Sequence, residues 1–295
     1  MTSVIEGTFR EAGVAGWLHA VDLDSGREVG VRPDESVVLA SVFKVPLLVA
    51  FFRRAAAGGL DPVERAVLPP GDRVAGTTGT SVLLDEVRMS LRDLACMMIT
   101  VSDNTAADAV LARVGLEHVN RALVELGLER TRVTGSASDL HASLMADAGV
   151  TDPAELWSRL AEPGMSGRLS ALDPARSSHG TPRELTRLLA AIWRDEAAPP
   201  AECAQMRRML GLQVWPHRLA SGFPYDDVLV SGKTGTLLNL RNEIGVVEYP
   251  DGGRYALAVF TRARSTAATH PRADAAIGTA ARLAVQELRG WATSS

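Results

Sequence analysis

Ser41-Val42-Phe43-Lys44-Val45-Pro46-Leu47-Leu48 begins an apolar stretch that runs on through Phe52 and stops at Gly58-Gly59. Such a run, with apolar positions on every side, reads as a buried helix. Proline is tolerated in a helix only within the first turn, so Pro46 sets the helix start near Ser41. Ser41 and Lys44, three positions apart, then share one face within side-chain reach. The helix start also puts Ser41 at the positive end of the peptide dipole, where developing negative charge is stabilised. A lysine deprived of water at such a place is able to take the serine proton. A serine three residues before a lysine is nonetheless a weak signal alone.

Lysine usage adds weight. The chain has 31 Lys and Arg residues, and only two of them are Lys, at positions 44 and 233. A GC-rich coding bias toward Arg explains the scarcity but not why these two remain. Arginine does not release its proton in a protein, so lysine should persist where a removable proton or a compact ammonium is needed. Lys233 opens Lys233-Thr234-Gly235, directly after a strand-like run over 228–231. A glycine there leaves room for a substrate along a strand edge, with Lys233 and Thr234 binding its carboxylate. Between the lysines, Ser102-Asp103-Asn104 lies where one apolar helical segment ends and the next begins. All three residues are good caps for a helix starting at Thr105. The other reading has the Ser102 hydroxyl passing a proton to a leaving nitrogen and the Asn104 amide holding a substrate carbonyl. The three motifs in this order, absorbing both lysines, are far rarer than any one of them.

Outward from the motifs, residues 17–31 alternate around Asp24-Ser25-Gly26 as a hairpin. The middle of the chain is helical over 91–100, 105–114 and 118–126. After Arg132 the composition loosens into a long loop of about 134–180, with a short helix over 153–160, until Thr181-Pro182-Arg183-Glu184 opens another helix. Runs at 244–249 and 255–261 flank the turn Pro250-Asp251-Gly252-Gly253, and 271–291 is a closing amphipathic helix. Strands at both ends with helices between predict an α/β chain of the α+β kind. Residues 1–40 and 212–295 would build an antiparallel sheet lobe flanked by helices. Residues 41–211 would form an all-helical lobe including the enlarged loop, with the active site in the crevice between the two.

Composition narrows the function classes. Of 295 residues, 46% are hydrophobic and 22% charged, and the net charge is −4. A basic field for nucleic acid or anionic membrane is missing. The longest apolar run, 45–52, is too short to span a bilayer. Cys96 and Cys203 have no metal-like spacing and read as buried free thiols; no metal and no cofactor is expected. With Met1 as the natural start and no export signal after it, the chain is expected in the cytoplasm; removal of a leader would make it a secreted protein. A monomer with a small-molecule substrate is expected.

Together the three motifs resemble those of serine β-lactamases and penicillin-binding proteins, and the likeness to the class A β-lactamases extends over most of the chain. Gly79-Thr80-Ser81-Val82-Leu83 through Leu91-Arg92-Asp93-Leu94 is similar to that family's approach to its central helices. Met98-Ile99-Thr100-Val101 leads into the second motif in the family's manner. Arg241-Asn242-Glu243-Ile244 resembles the strand after Lys-Thr-Gly. The resemblance implies catalytic roles for Ser41, Lys44, Ser102 and Lys233, and an oxyanion hole made by the amides of Ser41 and Thr236. It implies substrate binding by Asn104, Thr234, Gly235 and Arg241, the last either the family's carboxylate-binding arginine or a solvated one beside an apolar loop, 236–240.

One departure stands out. The family releases its acyl group with a Glu, followed four residues later by an Asn. Counting without gaps from Thr131-Arg132-Val133, Ala137 falls at the Glu position and His141 at the Asn position. Glu162-Pro163 resembles the missing pair if the extra residues come first, and Asp139, Glu155 and His141 are further candidates. Loss of a positioned base removes roughly 10² to 10⁴ from water attack. The expectation is a β-lactamase-like serine hydrolase that acylates readily and deacylates slowly. The alternatives are a DD-peptidase, esterase or acyl transferase on the same Ser and Lys, or a covalent β-lactam sensor.

Overall fold

The computed structural model describes residues 2–74, 76–162 and 164–290. A helix that the sequence reading passed over, α1 (Thr2–Ala12), precedes the predicted hairpin, β1 (Val14–Asp22) and β2 (Glu28–Val31). Short β3 (Val37–Val38) leads to a 3₁₀ turn over Ala40–Phe43 and then α2 (Lys44–Ala56). A ribbon of β4 (Arg65–Leu68) and β5 (Val87–Ser90) comes before α3 (Leu91–Thr100), α4 (Asn104–Val114) and α5 (Leu116–Glu125). The predicted long loop holds α6 (Ala137–Ala148), α7 (Pro153–Leu160) and β6 (His179–Gly180), which pairs with β3. Helices α8 (Pro182–Trp193) and α9 (Pro200–Gly211) follow. The chain closes with β7 (Leu229–Leu237), β8 (Leu240–Glu248), β9 (Arg254–Ala263) and α10 (Pro271–Leu288). The expected end of that last helix, Trp291, lies outside the described residues.

Five strands form one antiparallel sheet in the order β2-β1-β9-β8-β7. The N-terminal hairpin thus joins the C-terminal strands through β1 and β9, in register from Val14 opposite Ala263 to Asp22 opposite Tyr255. Alternate residues of β9 face opposite layers. Leu257 and Val259 pack with Ile5 and Phe9 of α1 and Ile277 and Val285 of α10. Ala256, Ala258 and Phe260 pack on the helical side, around α2. From Lys44 to Phe52 every residue of α2 is buried, the central position its composition predicts.

The 134–180 stretch is not a loop, and local chemistry accounts for the difference. Ser136 and Asp139 form a capping box, the Ser136 side chain accepting from the Asp139 amide, and α6 ends at Gly149 in the left-handed region. Asp152 caps α7 with Pro153 at its first position. Leu144, Ala148, Leu156, Leu160 and Met165 join Val38, Leu237 and Leu240 in a third apolar cluster. The apolar loop expected at 236–240 is correspondingly the end of β7, the turn Leu238-Asn239 and the start of β8, with its leucines covered by the inserted helices. Of the two free thiols, Cys203 is buried and Cys96 only partly so. No described helix is long and apolar enough to cross a membrane.

Candidate active site

Ser41 occupies the second position of the 3₁₀ turn that runs straight into α2. The amides of a first helical turn lack partners within the helix, so this is a natural place for an anion-binding donor. Ala40, just before it, holds a left-handed φ of 48°, which turns the chain sharply out of β3. The serine side is partly exposed, whereas Lys44 is entirely buried.

The Lys44 amine donates to the Ser102 carbonyl at 2.7 Å and to Asn104 Oδ1 at 2.8 Å, with Ser102 Oγ at 3.3 Å. Burial pushes its pKa down to about 7, against the pull of the Asp103 and Asp108 carboxylates. The two readings of Ser102-Asp103-Asn104 divide by residue. Asp103 caps α4, Oδ1 accepting from the Ala106 amide at 3.0 Å, while Oδ2 accepts from Thr80 N and Oγ1. Gly79 makes that approach possible, since a Cβ there would lie 2.4 Å from Asp103 Oδ2. Ser102, at a left-handed φ of 61°, and Asn104 face the lysine.

The third motif lies on β7, the edge strand of the sheet. Lys233 is wholly buried and donates to the Thr234 carbonyl at 2.7 Å; burial first, and then the charge of Lys44, hold its pKa well below the usual lysine range. The Thr234 amide points off the edge and donates to Gln213 Oε1 at 2.6 Å. By the two-residue alternation of a strand, the Thr236 amide points off the same edge, beside an exposed Thr236 side chain. Gly235 also has a packing role. A Cβ there would meet Leu39 O at 2.7 Å and Val42 Cγ2 at 3.1 Å, so the glycine lets β7 press against the nucleophile turn.

Two arginines hold the end of the edge strand, and only one of them was anticipated. Arg241 is buried and donates to the carbonyls of Leu238, Leu240 and Ala268 at 2.6–2.8 Å, tying down the β7–β8 turn. Arg218, which belongs to no motif, donates to Thr236 Oγ1 at 2.8 Å, to the Gly235 and Asn242 carbonyls at 3.0 Å, and to Asp274 at 2.7 Å. It is the arginine that reaches the threonine beside the crevice. Glu243, paired across from Thr234, is buried and accepts from Leu219 N and Gln213 Nε2, both at 2.7 Å. Desolvation raises its pKa to about 7.

The acidic candidates of the 134–180 segment are engaged elsewhere or exposed. Both carboxylate oxygens of Glu162 accept from Arg159 at 2.6 and 2.7 Å at the exposed end of α7. Asp139 completes the capping box, and Glu155 lies exposed in the first turn of α7. His141 is partly buried on α6. Ala137 is the first residue of α6, and its amide donates to Asp108 Oδ1 at 2.7 Å; Asp108 Oδ2 accepts from Ser138 N and Oγ. Asp108 stands one turn along α4 from Asn104, so position 137 flanks the Lys44 cluster and carries a methyl group. Among the described residues, no group of three or more His, Cys, Asp or Glu could hold a metal ion.

A nucleophile at a helix start, a buried amine with a pKa near neutrality and an outward amide on an edge strand define a serine hydrolase that works through an acyl-enzyme. The chain belongs to the β-lactamase enzyme family, whose model matches residues 1–288. It is 34% identical to the β-lactamase regulatory protein BlaB of Streptomyces cacaoi, over 97% of both chains. With a β-lactamase of Amycolatopsis lactamdurans it shares 29% identity over 92% of this chain and 80% of that one. A solved structure of a PBP-A mutant, an acyl-enzyme complex with penicillin G, matches its fold with a TM-score of 0.78 at 22% identity, covering 98% of this chain and 96% of the other.

Proposed function

We propose that this protein opens β-lactams by acylation of Ser41 and releases the acyl group slowly. The carrying observation is the methyl group of Ala137, a residue at the head of α6 bonded through its amide to Asp108 on the helix of Asn104, at the position where a gapless count puts the family's deacylating glutamate. Neutral Lys44 takes the Ser41 proton as Oγ attacks the lactam carbonyl. The amides of Ser41 and Thr236 stabilise the tetrahedral oxygen. Ser102, within 3.3 Å of the Lys44 amine, returns the proton to the departing nitrogen. Thr234, Thr236 and Lys233, with Arg218 behind Thr236, bind the substrate carboxylate, and Asn104 holds its amide side chain. All these groups come from one chain, so the scheme needs no second subunit.

Mixing with benzylpenicillin and measuring intact mass tests this. The expected result is a one-to-one adduct within seconds to minutes that persists far longer than it takes to form. Absence of an adduct together with no turnover of a chromogenic cephalosporin sinks the proposal. The likeness to a regulatory protein favours a second use of the same chemistry, a covalent β-lactam sensor. Stoichiometric labelling with no turnover over hours would select that use.

A further inference from the structure

A hollow of about 1030 Å³ is not lined by Ser41, Lys44, Ser102, Lys233 or Thr234. It lies where α1 ends, β1 begins and β9 ends, with the β7–β8 turn beside it. Four arginines line it, Arg10, Arg32, Arg262 and Arg264, against a single acidic residue, Glu6. Some arginines elsewhere meet acids: Arg183 meets Glu28 and Asp34, and Arg289 meets Asp251. Here, among the described residues, the side chains of Arg10, Arg262 and Arg264 enter no hydrogen bond or ion pair. Arg32 is held by a bond to the Gly16 carbonyl and by stacking 4.9 Å over Trp17, on backbone at a left-handed φ of 48°. Four like charges around one concavity repel one another and favour an anion that bridges them. Phe9 and Ala263 add apolar lining for an organic body.

The hollow also touches the machinery of the site. Asn239 of the β7–β8 turn lines it and is clamped to the end of β9: Asn239 Nδ2 donates to the Ala263 carbonyl at 2.8 Å, and the Ala263 amide donates to the Asn239 carbonyl at 2.9 Å. Asn239 Oδ1 is buried without a partner. Ser166 and Gly167, from the inserted segment that packs on Leu237 and Leu240, also line it.

We propose that this hollow is a second ligand site, separate from Ser41, that takes a small organic polyanion carrying at least two phosphate or carboxylate groups. Its occupant ties the end of β9 to the β7–β8 turn and so fixes the strand that carries the Thr236 amide.

Isothermal titration of the whole protein with pyrophosphate and with tricarballylate tests the site without involving Ser41. Saturable one-to-one binding of either probe is expected, weaker at high salt. It should weaken about tenfold or more in the Arg262→Ala/Arg264→Ala double variant and in Arg10→Glu. Arg113→Ala, whose partner is Glu64, should bind as the parent does. Melting curves establish that each variant is folded. No saturable binding at millimolar probe, or binding that survives all three changes in the hollow, overturns the site. For the coupling, the rate of benzylpenicillin acylation should change several-fold when the probe is saturating, and only where the arginines are intact. An identical rate with and without bound probe overturns the coupling.

Discussion

The acylation rate should follow the protonation of Lys44. An ordinary lysine, with a pKa of 10.5, is neutral in about one molecule in 3,000 at pH 7. Complete burial lowers the Lys44 value to about 7, so roughly half of the molecules hold a neutral amine at that pH. The structure thereby supplies on the order of 10³ in available base, before any gain from positioning. The sign follows directly. Below about pH 7 the amine is charged and cannot accept the Ser41 proton, so acylation should fall tenfold for each pH unit. Above it the rate should level off. Stopped-flow acylation by a chromogenic cephalosporin between pH 5 and 9 measures this. Lys44→Arg should lose roughly 10² to 10⁴ on the plateau above about pH 7, with the gap to the parent narrowing below it, because a guanidinium does not deprotonate. A flat profile, or a rise that continues past pH 9, refutes a neutral Lys44 as the base.

The same burial has a consequence for folding that separates the lysine's titration from events in the substrate. Between about pH 7 and the unfolded value of 10.5 the unfolded chain binds a proton that the folded chain does not. Lys44 therefore makes stability rise with pH across that window. Lys44→Met should remove that slope from denaturant titrations, and retention of the full slope would assign it to other groups.

Three substitutions probe the rest of the site. Ala137→Glu places a carboxylate at the head of α6 and should speed loss of the acyl adduct by roughly 10² to 10⁴, read as intact mass against time; an unchanged adduct lifetime in the folded variant removes position 137 from the explanation. Gly235→Ala brings a Cβ within 2.7 Å of Leu39 O and should cut acylation by about 10² through displacement of β7 from the nucleophile turn, while stability falls by only about 1–3 kcal/mol; acylation at the parental rate would show that the contact is slack. Arg218→Lys keeps a charge for Asp274 but cannot serve all four acceptors, and should raise the penicillin concentration for half-maximal acylation about tenfold, whereas Arg241→Lys leaves it unchanged; the reverse ranking would restore Arg241 to the carboxylate.

The parts legible in the sequence were those where one residue type is forced by local chemistry. A proline allowed only in a first turn located α2, a Gly between two acidic or polar residues located the hairpin, and two lysines in an arginine-rich chain pointed to the two buried amines. Arg218 carried no such sign. It lies in Trp215-Pro216-His217-Arg218, a stretch without motif or period, and acquires its importance from carbonyls of β7 and β8 that only the folded sheet brings together. Gln213, which receives the Thr234 amide, was silent for the same reason. Gly235 was noticed, but the direction in which its missing side chain would point depends on strand register, which the sequence does not show.

The inserted segment and the apolar turn after Lys-Thr-Gly, far apart in sequence, form one packed unit. Leu144, Ala148, Leu156 and Leu160 are spaced for helix faces, but the Ser, Ala and Asp residues between them dilute the signal, and their partners, Leu237 and Leu240, lie on a distant hairpin. Each apolar set would be a liability in water without the other. Packed together, they fix α6 from one side while Asp108 fixes it from the other through Ala137 and Ser138. The head of α6 is therefore a rigid position, held by packing and by charge-assisted bonds at the positive end of a helix. A carboxylate restored there would be delivered to a defined place rather than to a mobile loop. For that reason the lifetime of the Ala137→Glu adduct discriminates between a missing base and a misplaced one: a rigid backbone that already flanks the Lys44 cluster lacks only the functional group.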